Sequence, residues 1–173
     1  MKEKKMNGFI KFVIFYVIAT VIIVILSKTV FMINIIPSGS MEGTIMTGDI
    51  LYATRLDKTE VERYDIMTFI PPDEPDVYYI KRVIGLPGET VTVRDGSVYV
   101  DGKKIEDSFI KEEMNRSGDG TYVVPENCYF MMGDNRNCSL DSRFWNEKYV
   151  PLENMVAKNK VRIFPFTEAG SIS

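Results

Sequence analysis

Hydrophobic positions in this chain fall into two regimes. Across residues 9–28 apolar side chains follow one another with almost no interruption, whereas beyond residue 49 they come in short runs broken by turn residues. Between Phe12 and Leu26 there is no charge, and twelve of the fifteen residues are Ile, Val, Leu or Phe. At about 0.3–0.6 kcal/mol for each such residue, the segment favours a bilayer by about 5 kcal/mol. As a helix, residues 9–27 span about 28 Å, close to the hydrocarbon thickness. Lys11 then lies near one end, where its long stem lets the charge snorkel. A run that is apolar on every side and carries a basic flank predicts a membrane helix rather than a buried soluble one. The run is long for a signal peptide and no small-x-small site follows it, so it reads as a retained anchor over residues 9–28. In the charged head, residues 1–8, Lys2, Lys4 and Lys5 outnumber Glu3. The positive-inside rule places that head in the cytoplasm and residues 29–173 outside.

Beyond the anchor the pattern is that of short strands. Residues 49–54 and 65–70 are apolar runs bounded by polar or turn residues, and Pro71 and Pro72 stop the second. Residues 77–84 form another candidate, closed by Gly85, Leu86, Pro87 and Gly88. Residues 90–93 and 97–100 flank Asp95 and Gly96, a two-residue hairpin signal. Residues 122–124, 128–132 and 156–164 complete the set. Residues 109–120 are polar and turn-rich and read as a mobile connection. No long amphipathic helix follows the anchor, so the expected class is mainly β: an antiparallel β-sheet domain with one N-terminal transmembrane helix.

Composition narrows the chemistry through an absence. The 173 residues include no histidine, which excludes Ser-His-Asp and Cys-His catalysis and removes the commonest metal ligand. The net charge of −3 gives no general attraction to nucleic acid, and none is expected as a partner. Cys128 and Cys138 have no zinc spacing and are too few for a disulfide framework, so reduced thiols are expected.

A serine nucleophile in such a chain must find its base in a lysine, a carboxylate or a terminal amine. Pro37, Ser38, Gly39, Ser40 and Met41 form a Gly-containing turn just beyond the anchor. The same residues suit a simple turn before a strand. As a catalytic turn they offer Ser40 as nucleophile, with its own N–H and the Ser38 hydroxyl as donors to a developing oxyanion. Lys81 lies in a run dense in β-formers, on one strand face with Tyr79 and Val83, with Arg82 on the other. That pattern also fits an exposed lysine at a strand edge. To act as a base near neutrality Lys81 needs its pKa lowered by roughly 3 units, about 4 kcal/mol, which burial on an apolar face supplies. Residues 133–143, Gly-Asp-Asn-Arg-Asn-Cys-Ser-Leu-Asp-Ser-Arg, pack two acids and two arginines into a short loop. A surface loop with Asp141 and Arg143 in a local ion pair has the same pattern.

Taken together and in order, residues 37–41, residues 79–89 (Tyr-Ile-Lys-Arg-Val-Ile-Gly-Leu-Pro-Gly-Glu) and residues 133–143 resemble bacterial type I signal peptidases of the compact Gram-positive type. These are membrane-anchored Ser-Lys endopeptidases that remove signal peptides from exported preproteins. The resemblance implies an extracytoplasmic catalytic domain over residues 29–173, with Ser40 as nucleophile and Lys81 as general base. It implies Ser38 and Ser40 as the oxyanion hole, Ser139 hydrogen-bonded to the lysine amine, and Asp141 and Arg143 as braces. Ile36, Met41, Tyr79 and Ile80 match positions beside pockets for small residues, so Ala-x-Ala-like cleavage sites are the implied substrates. No metal or cofactor is implied. The implied location is the plasma membrane, single-pass, with the domain on the outer face against the lipid bilayer. Two other classes fit parts of the pattern: a membrane-anchored binding or assembly factor without turnover, and a self-cleaving Ser-Lys regulator. The second would need a scissile site of its own and usually a DNA-binding domain, neither of which the sequence displays.

Overall fold

The computed structural model describes residues 7–116 and 118–172, so most of the charged head, residues 1–6, lies outside the described residues. The expected anchor is helix α1, Gly8–Thr29, opened by the Asn7 side chain accepting from the Phe9 N–H at 3.3 Å. None of its residues is buried by the rest of the chain, and it is long and apolar enough to cross a membrane. Only Val30 separates it from the first strand.

The remainder is antiparallel β, as expected. The strands are β1 Phe31–Ile35, β2 Ile50–Thr54, β3 Ile66–Phe69, β4 Tyr79–Gly85, β5 Thr90–Arg94, β6 Ser97–Val100, β7 Lys103–Lys104, β8 Gly120–Val123, β9 Cys128–Met132, β10 Val150–Pro151, β11 Met155–Phe164 and β12 Gly170–Ser171. The larger sheet runs β1-β2-β11-β3-β4-β9-β10, with β12 added to β11; the smaller runs β7-β6-β5-β8. Asp95 and Gly96 form the expected tight turn between β5 and β6, both with positive φ.

The long strand β11 organises the larger sheet, since β2, β3 and β12 all pair with it. Its register slips between Met155 and Ala157, Asn159 and Val161, and Arg162 and Phe164. Such irregularities bend a strand and raise its twist. Phe69, Val83, Met131, Trp145 and Met155 form the core under the sheet's centre. A second core, built on Ile84, Val91, Val98, Phe130 and Met132, joins the two sheets. Their contact is close at Gly85, where a Cβ would stand 2.5 Å from Val91 Cγ2 and 3.0 Å from Phe130 Cβ.

Residues 31–35, for which no element was expected, form strand β1. Along it Ile33 and Ile35 are exposed and Asn34 is buried. Asn34 Nδ2 donates to Thr68 Oγ1 at 2.9 Å and to Asn159 Oδ1 at 2.8 Å, tying three strands together. The stretch expected as a mobile connection is irregular but packs onto the body. Met114 is buried, and the Phe109 ring lies 4.1 Å from the Arg82 guanidinium carbon.

Candidate active site

The turn at residues 37–41 follows directly from β1, so the larger sheet sets its height and direction. Ser40 lies in a tight turn closed by the Glu42 N–H donating to the Gly39 carbonyl at 3.1 Å, and the next turn is closed by the Ile45 N–H donating to the Met41 carbonyl at 2.9 Å. Asn135 holds this turn from outside. Its backbone N–H donates to the Ser40 carbonyl and its Nδ2 to the Gly39 carbonyl, both at 3.1 Å. Among the described residues no hydrogen bond uses the Ser40 N–H. Ser38 is exposed on the same turn.

Lys81 comes from β4, paired with Met67 of β3, and is only 4% exposed. Its Nζ lies 2.6 Å from Ser40 Oγ and 5.5 Å from the centre of the Tyr79 ring. Burial lowers its pKa from 10.5 to about 8. Asp141 and Asp134 pull it back up, and Arg143 pushes it further down. Desolvation wins because a lone ammonium away from water loses more than distant carboxylates return.

A groove of about 820 Å³ opens beside this pair. Ile36, Met41, Tyr79 and Ile80 all line it, as do Ser38, Ser40 and Lys81. Ile36 and Met41 are buried, which makes them its apolar floor. The groove also takes walls from Ile33 and Ile35 of β1 and from Val77, Tyr78 and Leu140.

The family model for signal peptidase, peptidase S26, matches residues 9–164. This chain belongs to that family. It is 33% identical to signal peptidase I of Bacillus licheniformis, over 95% of this chain and 93% of that protein. To signal peptidase I of Pseudomonas aeruginosa it is 34% identical over 67% of this chain, but spans only 56% of that longer protein. The crystal structure of a signal peptidase I from Enterococcus faecalis matches with 30% identity and a TM-score of 0.50. That match covers 57% of this chain and 95% of the other. The serine endopeptidase class and the antiparallel β fold of the signal peptidase I family therefore apply to this chain.

Within this signal peptidase the loop at residues 133–143 is largely buried rather than a surface loop, with Cys138 and Leu140 exposed. Asp141 and Arg143 are both nearly inaccessible, with Arg143 Nε donating to Asp141 Oδ1 at 2.8 Å. Asp141 Oδ2 also accepts from the Gly133 N–H at 3.0 Å. Arg143 further donates to the Arg136 and Arg116 carbonyls, each at 2.9 Å. A Cβ on Gly133 would overlap both Ser139 Oγ and the Ser40 carbonyl oxygen, so only glycine fits at this close approach. The expected hydrogen bond from Ser139 to the lysine amine is not formed. Ser139 is fully buried, but its Oγ packs against Gly133 and has no hydrogen-bond partner among the described residues, while the Lys81 amine is engaged by Ser40.

Sequence reading missed Asn135 and the network beneath the turn. Arg82 donates from Nε and Nη2 to the two Asp134 carboxylate oxygens at 2.9 and 2.7 Å. Thr44 Oγ1 donates to Asp134 Oδ2 at 2.6 Å. Arg82 and Asp134 stand inside the motifs already singled out. What singled them out was position beside the candidates, and nothing local signals that they pair across the chain. Both cysteines are free, with Cys138 exposed at the groove.

Proposed function

We propose that this chain is a membrane-anchored signal peptidase that cleaves exported preproteins through a Ser40/Lys81 dyad and an acyl-enzyme. The observation that carries the reading is the 2.6 Å separation of Lys81 Nζ from Ser40 Oγ, with the amine buried. At that distance the neutral amine takes the hydroxyl proton as Oγ attacks the scissile carbonyl. The new oxyanion accepts from the free Ser40 N–H and the Ser38 hydroxyl. The Lys81 ammonium then returns the proton to the departing amine, leaving an ester on Ser40. Water adds to that ester with Lys81 again as base, and the carboxylic product departs. Ser40 and Lys81 move every proton, so the scheme calls for no metal or cofactor.

Substrate shape follows from the groove. Among the described residues β1 is an edge strand, paired with β2 on one side, and its other edge offers main-chain partners to an extended segment. The short apolar floor made by Ile36 and Met41, with Ile80 and Tyr79 beside it, suits small side chains of the Ala-x-Ala kind. Helix α1, with Lys11 and the lysine-rich head at one end, supports a single-pass protein of the plasma membrane with its N-terminus in the cytoplasm and its domain on the outer face. A test is processing of a preprotein by the purified protein in lipid. Ser40→Ala and Lys81→Ala are each expected to lower the cleavage rate by at least a thousandfold. Unchanged processing by both variants would sink the dyad.

A further inference from the structure

A second cavity, of about 210 Å³, lies on the far side of the Ser40 turn and shares Glu42 and Asn135 with the main groove. The Glu42 side chain folds back over the turn, since a Cβ on Gly39 would stand 2.6 Å from Glu42 Oε1. Asn135 is the other shared wall, fixed by its two hydrogen bonds to the Gly39 and Ser40 carbonyls. The roof comes from the segment at residues 109–112, which approaches the backbone of Gly43 so closely that a Cβ there would lie 3.3 Å from the Phe109 carbonyl oxygen. Met46, 44% exposed, stands among the lining residues.

Arg136 also lines this cavity, and its bonding is incomplete. It is 2% exposed, and its Nε donates to the Gly133 carbonyl at 3.2 Å. Its Nη2 is buried without a hydrogen-bond partner among the described residues. Burial lowers its pKa to about 10, with Arg143 adding to the effect, so it stays charged at neutral pH. A buried donor on a charged group is costly to leave unmade. The neighbouring acids do not resolve it. Asp134 is engaged by Arg82 and Thr44, and neither Glu42 nor Glu112, which share the lining, accepts from the Arg136 Nη2.

The main groove is lined by residues 33–42 and 77–81 with Asn135, Cys138 and Leu140, and it meets the second cavity at Glu42 and Asn135, so a chain with its carbonyl at Ser40 can leave the groove across Glu42. We propose that the second cavity is the subsite for the first residues after the scissile bond. It selects a side chain with a hydrogen-bond acceptor, amide or carboxylate, for the unpaired donor of Arg136. This rests on Ser40 and Lys81 being the dyad.

The test uses the full chain in lipid and peptides that share one Ala-x-Ala segment. Asn, Asp, Leu or Lys is placed at the first or second position after the cleavage point. Asn and Leu have nearly the same shape, so their ratio isolates the acceptor. At one of the two positions kcat/KM for Asn and Asp should exceed that for Leu by about tenfold, the worth of one hydrogen bond to a charged group. Met46→Trp, which fills the cavity from its exposed side, and Arg136→Lys, which removes the forked donor, should each bring that ratio to within about twofold, with folding checked by circular dichroism. Equal rates for Asn and Leu at both positions, or a ratio that survives either substitution, overturns the proposal. An anilide with no residue after the cleavage point tests the dyad separately. Its turnover by the wild type and loss in Ser40→Ala secures the dyad, whichever way the Asn to Leu ratio falls.

Discussion

At the scale of single residues, the competence of Lys81 depends on how much water it has lost. With its pKa lowered to about 8 chiefly by burial, a small but useful fraction of the amine is neutral at pH 7, where a free lysine has almost none. The sign is fixed by the proton it must accept. Below about pH 8 the amine is protonated and cannot take the Ser40 proton, so kcat/KM falls about tenfold per pH unit; above that pH it levels off. A pH–rate profile on a peptide whose own groups do not titrate between pH 6 and 10 checks this, and an acid limb centred near 10 would show that the base is not this buried lysine. Lys81→Arg gives no such limb, because a guanidinium stays charged throughout the range. Gly133 is the second residue on which the site depends. In Gly133→Ala the new Cβ overlaps Ser139 Oγ and the carbonyl of the nucleophile itself. Relief means moving the turn, and overpacking of this kind costs about 1–3 kcal/mol. The expected result is a lower Tm together with a kcat loss larger than any rise in KM, read from thermal melts and steady-state kinetics on one preparation.

At the scale of elements, the dyad is a meeting of a turn and a strand, and what holds the meeting is a buried charge network. Arg82 follows Lys81 on β4 and faces away from it, where Asp134 accepts from its Nε and Nη2, the Tyr64 carbonyl accepts from its Nη1, and Thr44 binds the same carboxylate. Removing one member leaves the other charged and dry. Asp134→Ala is therefore expected to cost about 3–5 kcal/mol, as measured by chemical denaturation. A loss below about 1 kcal/mol would mean the pair is solvated and does not brace the turn. The same elements show what a sequence yields. The strands over residues 50–54, 66–69, 90–94, 97–100 and 128–132 were legible because each is a short apolar run between turn residues. Strand β1 was not, because only Val30 separates it from an anchor that is apolar on every side, and Phe31 and Met32 extend that run before the alternation of Ile33, Asn34 and Ile35 begins. Ser40 and Lys81 were legible as a pair only once histidine was known to be absent and the three motifs were read in order. Asn135 and the Arg82–Asp134 pair were not, since their partners lie 52 or more positions away in the chain and nothing local records a long-range hydrogen bond. The Ser139 hydroxyl, expected on the lysine amine, has no hydrogen-bond partner among the described residues, and a motif does not record the rotamer of a hydroxyl.

At the scale of the whole molecule, the anchor and the site are one continuous piece of chain. Helix α1 ends at Thr29, β1 begins at Phe31, and the turn carrying Ser40 follows β1 directly. There is no linker to adjust, so on the proposed reading the reach of one strand, roughly 17 Å for five residues at about 3.3 Å each, bounds the height of the groove above the lipid. On the proposed reading the substrate is held by its own apolar helix in the same bilayer, and its extended end has to meet β1 at that height. Two partners confined to one membrane meet at an effective concentration far above their average in solution. Chemistry at Ser40 should therefore depend little on the anchor, and encounter should depend on it strongly. A chain lacking residues 1–29 is expected to cleave a short soluble peptide within about twofold of the intact protein. On a preprotein embedded in vesicles it should lose at least about tenfold in kcat/KM, because it no longer shares the surface with its substrate. If both activities fell together, α1 would be supporting the fold of β1 and its turn. If neither fell, the membrane would contribute nothing to encounter, and the tethering argument would fail while the dyad stood.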